Sequence, residues 1–203
     1  RGEDRRIRAG HVWIYSNEVD TEATPLKSLP PGEEVVIEDS RGKALGRAYA
    51  NPHSLICARL FSRRSAQSLD RAFIGARIDD ALALRETLFS DPYYRLVFGE
   101  SDGLPGLVVD RFGDDFVIQS GTAGIDRVQD DIVAALEQRF SPKSIVARNV
   151  SAVRGLEQLS TFNKALLGKM PETLYVKENG VNYFAPLAEG QKTGWFYDHR
   201  IAR

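Results

Sequence analysis

The densest set of side chains able to do chemistry lies near the end of the sequence. Gly190-Gln191-Lys192-Thr193-Gly194-Trp195-Phe196-Tyr197-Asp198-His199-Arg200 puts an amide, two cations, a carboxylate, an imidazole and three aromatic rings into eleven positions. Two glycines followed by bulky aromatics suit a loop whose backbone comes close to a ligand. A surface loop leading into a helix accounts for the same residues without any ligand.

A second candidate lies at the front. Gly10-His11-Val12-Trp13-Ile14-Tyr15-Ser16 sets an imidazole and two aromatic rings beside Arg5, Arg6 and Arg8. Arg47, Tyr49 and Asn51 share one face of an expected strand, because alternate residues point the same way. Arginine contacts phosphate, and Tyr and His stack on unpaired bases, so the pattern suits RNA. The plainer alternatives are that the arginines form a solvated face and that Trp13 is a core residue.

Other chemistries are excluded or unsupported. No Gly-x-Gly and no Gly-x-x-x-x-Gly-Lys-Ser/Thr occurs, so no dinucleotide or phosphate-cradling fingerprint is present. His11, His53 and His199 lie far apart, and one cysteine does not make a zinc site with them. Cys57 sits in the apolar run Leu55-Ile56-Cys57-Ala58 and reads as a small buried hydrophobe. Ser40 and Lys43 match Ser-x-x-Lys, and Lys192-Thr193-Gly194 matches Lys-Thr-Gly, but Ser40 falls in a glycine-containing turn and no Ser-Asp-Asn exists. Asn149-Val150-Ser151 fits the glycosylation acceptor by coincidence, since the first ten residues are charged and form no secretory signal.

The elements that must carry these residues fall into three stretches. Residues 1–69 are β-rich: short apolar runs at 12–15, 34–37, 44–49 and 54–61 are separated by Pro30-Pro31-Gly32, Asp39-Ser40-Arg41-Gly42 and Asn51-Pro52, the pattern of a small barrel. From Asp70 the period changes, with Phe73, Ile74, Ile78, Ala81, Leu82 and Leu88 at helical spacing and Ser68 or Asp70 as N-cap. Strands are expected at 94–98, 107–112 and 116–120, then a helix over 125–139. Strands at 144–149 and 173–178 complete an α/β layer, and 181–187 is one further strand.

The chain has 203 residues, with 42% hydrophobic and 27% charged, an ordinary composition for a globular protein. The net charge is −1, but residues 1–69 carry 11 Lys and Arg against 9 Asp and Glu, whereas 70–176 carry 12 against 16. An RNA surface would therefore be a local arginine patch at the front. With no apolar stretch of about 20 residues and one cysteine, a cytoplasmic setting is expected.

The sequence resembles the 23S ribosomal RNA cytosine-5 methyltransferases that carry an N-terminal PUA domain. The matching elements are the Gly10 to Ser16 run, Gly46-Arg47-Ala48-Tyr49-Ala50-Asn51-Pro52, Tyr94-Arg95-Leu96-Val97, the Gly99 to Arg111 segment, Glu178-Asn179-Gly180, and Gly190 to Gly194 with Asp198 and Arg200. The resemblance implies an α+β chain of three parts. These are an RNA-binding PUA-like barrel (1–69), a small α/β domain (70–178) and the truncated start of a Rossmann-like methyltransferase domain (179–203). It implies S-adenosylmethionine as cofactor, ribosomal RNA as partner, and a catalytic cysteine further along a longer parent, so that these residues alone are expected to be inactive.

Arg8, His11, Arg47 and Tyr49, clustered beside turns on the arginine-richer segment, are expected to carry the main RNA contacts. On that resemblance Gln191, Lys192, Thr193, Phe196, Asp198 and Arg200 line the donor pocket, with Asp198 and Arg200 paired to hold the loop. No membrane or metal partner is expected, and a homodimer is compatible with the pattern. The competing expectation is a non-catalytic RNA-binding or ribosome-assembly module.

Overall fold

A computed structural model describes residues 4–187 and 195–203. The front unit opens with a short helix, α1 (Asp4–Arg8), which the β-rich reading of this stretch did not include. Four strands follow: β1 (Trp13–Tyr15), β2 (Glu33–Glu38), β3 (Ala44–Ala50) and β4 (Ile56–Ser62). They form an antiparallel sheet of order β1-β4-β3-β2. Register shifts at Ile14/Tyr15, Ile37/Glu38 and Arg47/Ala48 twist it. Ile7, Ile14, Ala48, Cys57 and Leu60 pack together beneath it.

The second unit starts with α2 (Arg71–Leu88), capped by Asp70, whose carboxylate accepts the Phe73 N–H at 2.8 Å. Its sheet holds β5 (Tyr93–Phe98), β6 (Leu107–Phe112), β7 (Asp115–Ser120), β8 (Ser144–Asn149) and β9 (Phe162–Leu167) in chain order. All pairs are antiparallel except β7–β8, which are parallel and joined through α3 (Ala123–Arg127) and α4 (Gln129–Phe140). The single helix expected over 125–139 is thus two. Val128 leaves helical geometry at φ −105°, ψ 20°, and the apolar period runs on across the break, which hides it in the sequence. After β8 comes one turn of helix, α5 (Val153–Leu156).

One edge strand is β9, which the sequence reading did not assign. Residues 173–178, expected to complete the layer, instead form β10 (Thr173–Glu178) and pair only with β11 (Val181–Pro186). Asn179 (φ 53°) and Gly180 (φ 79°) supply the left-handed turn that this two-residue hairpin loop requires. The hairpin runs across the boundary expected at 178/179.

The sheet is covered on both faces, which explains the unbroken apolar runs of β7 and β8. On one side Ile74, Ile78, Ile132 and Leu136 of the helices are fully buried against Leu96, Val109, Phe116, Ile118 and Ile145. Each such side chain contributes about 1.5–3 kcal/mol by leaving water. On the other side Leu174, Val176, Ala185 and Leu187 lie over Phe112, Val117 and Val146. Tyr49 and Phe61 of the front unit belong to the helix-side core, Phe61 meeting Phe73 edge-on at 5.5 Å. Two rings of the front unit are therefore built into the core of the second, while the rest of its apolar residues form a cluster of their own.

Candidate nucleic-acid interface

Helix α1 buries Ile7 and turns its arginines outward. Arg63, just past β4, donates to the carbonyls of Ile7 (2.7 Å) and His11 (3.2 Å), a cation placed on the free end of a helix. Arg8 donates to Asp4 (2.8 Å) and Asp39 (2.5 Å). The backbone N–H groups of Lys43 and Arg41, joined by Arg8, hold the Asp39 carboxyl below its usual range. Arg8, Gly10, Ala44, Leu45 and Arg63 line a shallow concave surface, and His11 stands exposed beside Gly10. Arg47 pairs with Glu34 at 3.1 Å, partly exposed. Arg8, Arg47 and Arg63 are thus each held in place by neighbouring carboxylates or carbonyls.

Tyr49 does not belong to that surface. It is 2% exposed, and its hydroxyl lies 2.6 Å from the Pro105 carbonyl and 3.0 Å from Thr122 Oγ1. Donating its one proton to Pro105, it accepts from Thr122. A Cβ on Gly124 would stand 2.1 Å from the Tyr49 ring, so glycine is what lets α3 approach. Alternation placed Tyr49 on the face of Arg47 correctly, but the second unit covers that part of the face. A buried ring cannot stack on a base, and burial raises its phenol pKa.

The seam holds further polar contacts that the sequence reading missed. Asn51 donates to the Glu157 carboxylate (2.7 Å) and carbonyl (3.1 Å), and the Ala123 N–H reaches the same carboxylate at 3.3 Å. The Trp13 indole N–H donates to Glu100 at 2.6 Å, and Arg59 donates to the same oxygen at 3.0 Å. Partners 106 and 87 residues apart leave no periodic signal in a sequence.

At the other end, Gln191, Lys192 and Thr193 lie outside the described residues. The expected Asp198–Arg200 pair is replaced by another. Arg200 lies 3.5 Å from Glu178, donates to the Tyr93 carbonyl and covers the Phe89 ring at 4.3 Å. Arg203 (2.8 Å) and the Trp195 indole (2.9 Å) also donate to Glu178. Glu178 is buried, so it needs these cations far more than exposed Asp198 does, and Asp198 lies 3.9 Å from His199 instead. Burial pushes the Glu178 pKa up, but Arg203, Trp195 and Arg200 more than offset that and leave it lowered. Phe196 stacks on His199 at 5.6 Å. With Arg200 engaged by Glu178, the described part of the expected donor pocket comes down to Phe196 and Asp198. These do not by themselves cradle a sulfonium nucleoside.

Comparison with known proteins agrees with the front of this description. Residues 1–63 match the PUA-like domain. The whole chain is 35% identical over 210 residues to proteins named Ribosomal RNA large subunit methyltransferase I, including those of Yersinia pseudotuberculosis and Erwinia tasmaniensis. The chain spans about half the length of these curated relatives, 52%. A structure from Streptococcus mutans, assigned as a SAM-dependent methyltransferase, superposes with a TM-score of 0.78 at 20% identity, over 98% of this chain and 50% of that one. A methyltransferase solved in complex with SAH gives the same TM-score at 21% identity, over 98% of this chain and 50% of its own. The PUA-like unit with the α/β unit behind it is thus an arrangement found in solved proteins.

Proposed function

We propose that this chain is the RNA-positioning front part of an S-adenosylmethionine-dependent methyltransferase that acts on cytosine C5 of large-subunit ribosomal RNA. The observation that carries the proposal is a likeness to the ribosomal RNA methyltransferases that runs through the entire chain, PUA-like unit included. In this reading residues 1–69 bind RNA, 70–178 form the scaffold, and 179–203 begin the methyltransferase part, with the β10–β11 hairpin tying the last two together. S-adenosylmethionine supplies the methyl group, and the attack on C6 of the base needs a thiolate. Cys57 is not that thiolate: it is buried, and burial raises its pKa to about 11. Catalysis therefore belongs to segments outside these 203 residues.

What this chain contributes is orientation. Phosphate contacts fix the register of an RNA, and a unit with two rings built into the core of the next cannot swing away while it holds the strand. The footprint comprises Arg8, His11, Arg47 and Arg63, and buried Tyr49 lies outside it. Among the described residues no helix is long and apolar enough to cross a membrane.

The test is a fluorescence-anisotropy titration of a ribosomal RNA fragment at several salt concentrations. Binding that weakens with salt is expected, and Arg8→Ala or Arg47→Ala should lower the slope by about one phosphate contact. Salt-independent binding, or none, would remove the RNA-positioning role. An unchanged slope in one variant removes that arginine from the footprint.

A further inference from the structure

At the seam between the two units stand two exposed aromatic rings, each with an arginine over it. Trp13 of β1 is 38% exposed, although it is the bulkiest side chain of the front sheet. The Arg59 guanidinium lies 5.4 Å from its ring centroid, and Glu100 holds its indole N–H. Phe98, at the end of β5, is 54% exposed, with the Arg95 guanidinium 5.4 Å from its centroid. Glu100 lies two residues beyond Phe98, so both rings flank a single short loop.

We propose that Trp13 and Phe98 form a stacking platform for unpaired RNA bases, continuing the arginine groove of the PUA-like unit across the seam. The inference rests on the RNA-positioning role above and names where the bases go. Exposing two large rings costs solvation that burial would recover. Each ring is instead steadied by a cation, with Arg59 itself held by Glu100 and Arg95 by Asp110 at 2.8 Å. A ring fixed in this way stacks on a base with little ordering cost, and any base offers a π-face. Arg59, which lies 3.0 Å from Glu100 and 3.9 Å from the buried Glu157, offsets part of the negative charge that would repel phosphate. The Phe98 N–H donates to Asp102 at 2.6 Å, and Asp102 is gripped by Arg85 at 2.6 and 2.7 Å, so the loop is anchored to α2. The platform is thereby rigid from both units.

The experiment titrates the chain with a fluorescein-labelled single-stranded RNA decamer of pyrimidines, and with the same strand annealed to its complement. Trp13→Ala and Phe98→Ala should each weaken single-strand binding about tenfold, the loss of one stacked base. The salt slope should stay unchanged, because stacking is not ionic. Trp13→Phe keeps a ring while losing the bond to Glu100, and should retain most of the affinity. Thermal midpoints within a few degrees of the parent show that the variants fold.

Equal binding of single and double strands overturns the proposal. So does wild-type affinity in both alanine variants, or a Trp13→Phe variant as weak as Trp13→Ala, which would make Trp13 a strut for Glu100. If the parent chain binds neither RNA, the RNA-positioning role fails and takes the platform with it. If the parent binds RNA and both alanine variants match it, only the platform fails.

Discussion

The Tyr49 hydroxyl and Thr122 Oγ1 lie 3.0 Å apart across 73 residues of sequence, and this buried contact pins the PUA-like unit to the α/β unit. A tyrosine that strand alternation offers as an RNA contact is instead part of the joint. The joint decides where any bound RNA lies relative to the rest of the chain.

Removing that hydroxyl should loosen the joint. Tyr49→Phe leaves the Pro105 carbonyl and the Thr122 hydroxyl without their partner, and is expected to lower stability by about 1–3 kcal/mol. Gly124→Ala drives a methyl into the Tyr49 ring and should cost about 1–3 kcal/mol through overpacking. Urea denaturation of both single variants and the double variant checks this. Parent-like stability in Tyr49→Phe would remove the hydroxyl from the joint, and parent-like stability in Gly124→Ala would show that α3 can shift away from the ring.

Acid should release the carboxy-terminal segment before the rest unfolds. The Glu178 pKa is lowered in the folded state, so its contribution is fully present above the ordinary carboxylate pKa of about 4.3. It is lost as pH falls through the lower folded value. Trp195, bonded to Glu178, reports the release by fluorescence in a Trp13→Phe background. Glu178→Gln should lower stability at neutral pH by about 1–3 kcal/mol and abolish the acid step. An identical acid step in that variant would assign it to another group.

Cys57 should resist thiol reagents in the folded chain. With its pKa raised to about 11 by burial, little thiolate exists at pH 8. Reaction with a chromogenic disulfide is expected to be slow until urea unfolds the protein. Rapid labelling under native conditions would contradict the buried assignment.

The 203 residues by themselves should bind S-adenosylmethionine weakly, which calorimetric titration measures directly; a micromolar dissociation constant would contradict the division of labour proposed above. In a full-length protein with the proposed activity, Lys192→Ala should lower methyl transfer to ribosomal RNA at least tenfold while the thermal midpoint holds, because lysine is rarely a core residue. Full activity in that variant would make the Gly190 to Arg200 cluster structural.

Local order was legible from the residues alone. The Asp70 cap, the period of α2 and the positions of strands β5 to β8 follow from side-chain preferences and solvent patterning within a dozen residues, and they appear where the sequence reading expects them to within a residue. The apolar nature of Cys57 was readable in the same way, from the run around it. Tertiary structure alone decided the choices that pattern leaves open. Residues 162–167 became one edge strand and 173–178 half of a separate hairpin because strand partnership depends on which neighbour offers a free ladder, which no single segment encodes.

The same holds for the site. Sequence placed arginines and aromatics at the front, where the PUA-like domain lies, but could not say that Tyr49 is covered while Trp13 is left in solvent. Nor could it say that Arg200 turns to Glu178 rather than to Asp198 two positions away. A buried carboxylate competes for cations more strongly than an exposed one, and burial is set by the packing of distant segments.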